Sequence, residues 1–246
     1  MNDYIQYWAS LINEAEESDI NLNSKDCILS GLQLTTLPAS KIPDEVLGNF
    51  NCSLNRITHL FHCPKKVGGT FDCSINKLTS LKGCPEHIGK SFNCRKNNIS
   101  SLKYGPKTVG WSYNCSKNDL HSLEGCPEKI MGNFNCSDNP IVSFSNGPAY
   151  VGKDFIAENL APADTWDVMI GLPSYIGGEF KISGRSERKY PFAGYRSKWK
   201  FEMNHKQFSQ VYIDAYLAYL KLPASEKAKL TKNNRYYPTI EWIQSF

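Results

Sequence analysis

Apolar and polar positions follow one another along this chain on a fixed beat of 21 residues. Cys52, Cys73, Cys94, Cys115 and Cys136 mark the beat. Two residues before each stands an aromatic (Phe50, Phe71, Phe92, Tyr113, Phe134), and three after each stands an asparagine (Asn55, Asn76, Asn97, Asn118, Asn139). Two further on comes an aliphatic (Ile57, Leu78, Ile99, Leu120, Ile141), then a second large apolar residue (Leu60, Leu81, Leu102, Leu123, Phe144). Each unit closes on a proline (Pro64, Pro85, Pro106, Pro127, Pro148) followed at the third place by Val67, Ile88, Val109, Ile130 or Val151.

Internal periodicity of this kind means stacked structural units, each burying its apolar side only against its neighbours. A strand of about three residues is expected around each aromatic-x-Cys, with both flanking side chains directed inward by the period of two. The asparagine ends the strand, and its amide can satisfy backbone groups of adjoining turns. Proline sets an extended or turn conformation. With so short a return path, the far side should be extended or polyproline-like.

The beat continues at lower fidelity on both sides. Leu32, Leu34 and Leu37 resemble a first unit, and Pro43 and Val46 keep its register. Downstream, Phe155 and Ala157 take the aromatic and Cys places while Leu160 replaces the asparagine; Pro173, Ile176, Phe180 and Ile182 repeat once more. Pro173 follows Pro148 by 25 residues, which puts four extra residues near Ala161–Met169.

The unit F-x-C-S-x-N-x-L-x-S-L-x-x-C-P-x-x-V-G resembles the leucine-rich repeat, with Phe and Cys at its first two apolar sites. Its length and the Pro-x-x-Val link are similar to the short bacterial repeats of secreted effectors and of some phage proteins, over roughly residues 29–183. The resemblance implies a curved solenoid of about seven short parallel strands that binds another protein on its concave face. A bacterial or phage origin follows from it, with a role in inhibiting or sequestering a host or defence protein.

Both ends are expected to carry caps, since a solenoid cannot leave its terminal core open. Asp3 to Glu17 reads as an amphipathic helix with Tyr4, Ile5, Trp8, Leu11 and Ile12 on one face. At the other end, residues 187–203 mix basic and aromatic side chains, and Asn204 to Lys221 has helical spacing. The expected class is therefore α+β: an N-terminal helical cap (residues 1–28), the repeat solenoid (29–183) and a basic, aromatic and partly helical C-terminal cap (184–246).

Nine cysteines raise metal and redox chemistry. Five form one inward row, and Cys63, Cys84 and Cys126 form another in which Gly105 and Gly147 also serve. A row that accepts glycine asks for a small residue, not a ligand, and no zinc-type spacing is present. Cys27 belongs to neither row. No metal and no cofactor are expected.

Candidate binding residues are those that alternate outward on the strands. The middle row is Asn51, Asp72, Asn93, Asn114 and Asn135, with Lys77, Arg95, Lys96 and Lys117 as charged anchors beside it. Net charge is +4, but residues 1–47 carry eight Asp and Glu against two Lys, while residues 184–246 carry twelve Lys and Arg against five acids. Arg188, Lys189, Arg196, Lys198 and Lys200 thus form a second, basic patch, for which an acidic partner or nucleic acid is the alternative ligand.

Catalysis finds little support. Residues 137–246 hold no Cys, which argues against the ubiquitin-ligase domain that some repeat effectors carry, and His205 is the one His beyond the repeats. A site in the C-terminal region is the enzymatic alternative. No apolar run approaches a membrane span and no signal peptide is evident, so the expectation is a cytoplasmic, non-catalytic binding protein, in the host cytoplasm if phage-encoded.

Overall fold

The computed structural model describes residues 25–39, 42–160, 171–185, 198–204, 221–223 and 225. Within them the chain winds as a parallel β-solenoid with two sheets. The first sheet contains β1 (Cys27–Ile28), β3 (Phe50–Asn51), β5 (Phe71–Asp72), β7 (Phe92–Asn93), β9 (Tyr113–Asn114), β11 (Phe134–Asn135), β13 (Phe155–Leu160), β15 (Glu179–Arg185) and β16 (Lys198–Asn204), stacked in that order. The second contains β2 (Glu45–Val46), β4 (Lys66–Val67), β6 (His87–Ile88), β8 (Thr108–Val109), β10 (Lys129–Ile130), β12 (Tyr150–Val151) and β14 (Tyr175–Ile176). The Pro-x-x-Val half of each unit, expected to be extended, is therefore itself a short parallel strand. All pairs are parallel except β15 with β16.

The α+β class is overturned: the described chain is built of strands, and its helical residues are only Lys221 and Ser225. The helical part of that class rested on the two ends alone. At the C-terminal side, Lys198–Asn204 runs antiparallel to β15 and lengthens the first sheet, with Lys198 opposite Arg185 and Lys200 opposite Ser183. Of the stretches expected as cap helices, Asp3 to Glu17 lies outside the described residues; of Asn204 to Lys221, Asn204 ends β16, Lys221 is helical and the residues between lie outside the described ones, as does the expected insertion at 161–169.

The repeat rows become core columns. Phe50, Phe71, Phe92, Tyr113, Phe134, Phe155 and Phe180 are at most 1% exposed and pack ring against ring, stacked at Phe50–Phe71 with centroids 5.2 Å apart and edge-on at Phe92–Tyr113 with centroids 5.0 Å apart. The Cys52 column and the two aliphatic columns beside it are fully buried. Cys27 pairs in register with Phe50, so it takes the aromatic place of the first turn, and Leu29 takes the Cys place.

Asparagine side chains join consecutive turns. Asn76 Oδ1 accepts from the Ile57 amide of the preceding turn at 3.0 Å, and Asn76 Nδ2 donates to the carbonyls of Cys52 (3.0 Å) and Cys73 (3.1 Å). Asn97, Asn118 and Asn139 repeat the arrangement. An asparagine that takes up these backbone groups ends the strand after two residues. Where Leu160 stands instead, β13 continues to six residues and pairs with β15 up to Leu160–Gly184, with a register shift after Ala157.

Candidate functional site

The outward face of the first sheet is built by residues that alternate with the buried Phe and Cys columns. The structure does bring Asn51, Asp72, Asn93, Asn114 and Asn135 into one half-buried column. They are not free docking groups, however. Each Oδ1 accepts from the backbone amide two residues on: Ser53 at 2.9 Å, Ser74 at 2.8 Å, Arg95 at 3.2 Å, Ser116 at 3.0 Å and Ser137 at 3.0 Å. These are Asx turns, which bend the chain out of the strand. Asn93 Nδ2 also donates to Asp72 Oδ2 at 3.0 Å. The column is a structural device on one side of each side chain, and the amide Nδ2 groups of Asn51, Asn114 and Asn135 are what it leaves for a partner among the described residues.

A second polar ladder runs along the near edge of the same sheet. Side-chain oxygens of Asp26, Asn49, Ser91, Ser112, Asn133 and Asp154 accept from the backbone amide of the next turn, at Asn49, Thr70, Ser112, Asn133, Asp154 and Glu179. Short oxygen-bearing side chains 21 residues apart were the sequence signal for it. They read there only as polar surface, because a side chain facing water and one bound to the adjacent turn call for the same residue types.

The charged anchors lie at the far edge, where the strands exit. Lys77, Lys96 and Lys117 are exposed and Arg95 is half-buried, in the column otherwise held by the buried Ser53, Ser74, Ser116 and Ser137. Lys117 Nζ is 3.9 Å from Asp138. Arg56, which the sequence did not single out as an anchor, is exposed one turn before Lys77 in the same column. Among the described residues, Arg56, Lys77, Arg95 and Lys96 have no ion-pair partner.

Of the second patch, Lys198 and Lys200 lie on β16, and Arg188, Lys189 and Arg196 fall outside the described residues. The sequence offered no such candidates on the second sheet, whose outward column is already paired along its length. Glu45 and Lys66 are 3.8 Å apart, His87 Nδ1 and Thr108 Oγ1 2.8 Å, Lys129 lies 4.9 Å over the Tyr150 ring, and Tyr150 stacks on Tyr175 at 4.6 Å. These are cross-strand pairs of the kind that stabilise a sheet.

Eight of the nine cysteines sit in the two inner rows, where burial holds the thiol protonated. Burial pushes the thiols of Cys52, Cys73, Cys94, Cys115 and Cys136 well above their ordinary range, and Cys63, Cys84 and Cys126 follow for the same reason. A thiol held protonated is neither a nucleophile nor a ready metal ligand. Among the described residues no group of three His, Cys, Asp or Glu comes together as a metal site, and no helix is long and apolar enough to cross a membrane. No family model, no curated protein and no solved structure matches the chain.

Proposed function

We propose that this chain is a leucine-rich-repeat protein whose function is to bind another protein, without catalysis, through the outward face of its nine-stranded sheet. The observation that carries the reading is a contrast within each turn. Core columns and hydrogen-bond ladders repeat almost unchanged, whereas the strand-exit positions change from turn to turn: Leu54, Ile75, Lys96, Lys117 and Asp138 in one column, Arg56, Lys77, Asn98 and Asp119 in the next. A uniform scaffold carrying varied side chains on one face suits macromolecular recognition, in which a few anchors within a polar surround supply most of the affinity. The resemblance to bacterial and phage repeats adds that the partner is a host or defence protein, bound in the cytoplasm so as to inhibit or sequester it.

The test is affinity capture from bacterial lysate with the full chain, comparing wild type, Arg95→Glu/Lys96→Glu and Lys198→Glu/Lys200→Glu. A stoichiometric partner lost only with the first variant supports recognition at the strand exits. Loss only with the second moves recognition to the basic C-terminal segment. No partner, with all three proteins folded by circular dichroism, counts against protein binding.

A further inference from the structure

One strand-exit position takes left-handed backbone geometry on turn after turn, and on two turns it carries residue types that disfavour that geometry. Residues 54, 75, 96, 117, 138 and 159 all take left-handed backbone geometry, with φ of 58° at Leu54 and 55° at Ile75. Asp138 and Asn159 are residue types that tolerate this region, whereas a β-branched residue such as Ile75 is an outlier there. Burial does not compensate at Leu54, which is 56% exposed, and Ile75 is only half-buried. Two apolar side chains are thus held toward solvent on adjacent turns, about 4.8 Å apart along the sheet, in a conformation that disfavours them.

Cations surround this pair. Arg56 and Lys77 follow two residues after Leu54 and Ile75 on the same turns, and Arg95 and Lys96 stand on the next. None of the four is neutralised by an ion pair among the described residues, in contrast to Lys117 beside Asp138. Strained residues persist where function retains them. We propose that Leu54 and Ile75, flanked by Arg56, Lys77, Arg95 and Lys96, form a docking strip for an acidic segment of a partner protein that presents a large aliphatic side chain between its carboxylates. This rests on the protein-binding reading above and names the partner's chemistry. Charge complementarity selects the acidic surround, and the two apolar residues select an aliphatic centre. The strip offers no aromatic ring on which a nucleic-acid base could stack.

The test uses the full chain and fluorescence anisotropy with a labelled peptide alternating glutamate and leucine. Comparison ligands of equal length are an all-glutamate peptide, a lysine–leucine peptide and single-stranded DNA. The glutamate–leucine peptide is expected to bind most tightly, and Lys77→Glu/Lys96→Glu to weaken it. Leu54→Asn/Ile75→Asn should weaken it more than about tenfold while raising Tm by roughly 2–4 °C per site, since asparagine accepts the left-handed backbone. A residue pair that merely supported the fold would lower Tm on substitution. Equal binding of the all-glutamate peptide or of DNA, affinity unchanged in the asparagine variant, or a lowered Tm would each overturn the strip. A lysate partner captured equally well by the asparagine variant would discard the strip and leave the protein-binding reading standing.

Discussion

The hydroxyl of Tyr113 lies 3.5 Å from the point that a β-carbon on Gly105 would occupy. Tyr113 is the one tyrosine in a column of phenylalanines, and Gly105 stands where three other turns carry Cys63, Cys84 and Cys126. A β-carbon at Gly105 would touch that hydroxyl at ordinary contact distance and would press on Leu81 Cδ1 and the Leu102 carbonyl, each at 2.9 Å. Gly147, two turns on, is enclosed in the same way: a β-carbon there would meet Leu123 Cδ1 at 2.8 Å and the Phe144 carbonyl at 2.9 Å.

The proximity of position 105 to the Tyr113 hydroxyl predicts coupling between the two sites. Tyr113 Oη is buried without a hydrogen-bond partner, so Tyr113→Phe should leave stability unchanged or raise it by about 1 kcal/mol. Gly105→Cys should cost about 1–3 kcal/mol by overpacking in the native protein, and clearly less in the Tyr113→Phe background. A double-mutant cycle by urea denaturation measures the coupling, which should exceed roughly 0.5 kcal/mol. Additive effects would show that the two rows pack independently.

The asparagine ladder should be unequal along its length. Asn97→Ala leaves the buried Leu78 amide without its acceptor, while the carbonyls of Cys73 and Cys94 each lose one of two side-chain donors and keep the other, Asn76 Nδ2 and Asn118 Nδ2. A loss of about 2–3 kcal/mol is expected from the one buried amide left unsatisfied and the lost bonds to the two carbonyls. Asn55, half-buried at the first junction, makes comparable bonds to Leu34 and Leu29, but water can replace them, so Asn55→Ala should cost about half as much. Urea midpoints of the two variants decide the ranking.

Alkaline pH should unfold this protein early. Burial raises the thiol pKa values of the five core-column cysteines in the folded state. Above the ordinary thiol pKa the unfolded chain then releases protons that the folded chain keeps, so it binds fewer protons and stability falls as pH rises. The decline should begin near about pH 8.5 and approach roughly 1.4 kcal/mol per pH unit for each buried thiol. Melting curves in reducing buffer between pH 7 and 10.5 test this; a flat Tm across that range would contradict the burial of the column.

Thiol labelling should separate the cysteines by place. In the native state an aromatic disulfide reagent is expected to react first with Cys27, half-buried on the terminal strand β1, and hardly at all with Cys52, Cys73, Cys94, Cys115 and Cys136. All nine cysteines of the chain should react once it is unfolded in guanidinium. Rapid native labelling of the core column would show that the turns open locally.

The sequence by itself determined the 21-residue turn, the Phe and Cys columns, the aliphatic columns and the asparagines that join the turns. It could do so because each unit meets the same environment, and identical environments select identical residue types. It also placed the small-residue row of Cys63, Cys84, Cys126, Gly105 and Gly147, since substitution of cysteine by glycine is visible in one chain. Tertiary structure decided what periodicity leaves open. Pairing of Glu45–Val46 and its successors into a second sheet depends on turns lying in register, and two-residue strands leave no alternation to read. The α+β class failed because helical spacing at the ends says nothing about how the described chain pairs, and Lys198–Asn204 joins the sheet through backbone groups common to every residue. The Asx turns of the outward asparagines were not legible, because the turn and the solvent select the same side chain. Left-handed backbone at Leu54 and Ile75 contradicts the preference of both residues, so only the coordinates of the neighbouring turns, whose hydrogen bonds hold that conformation, could place it.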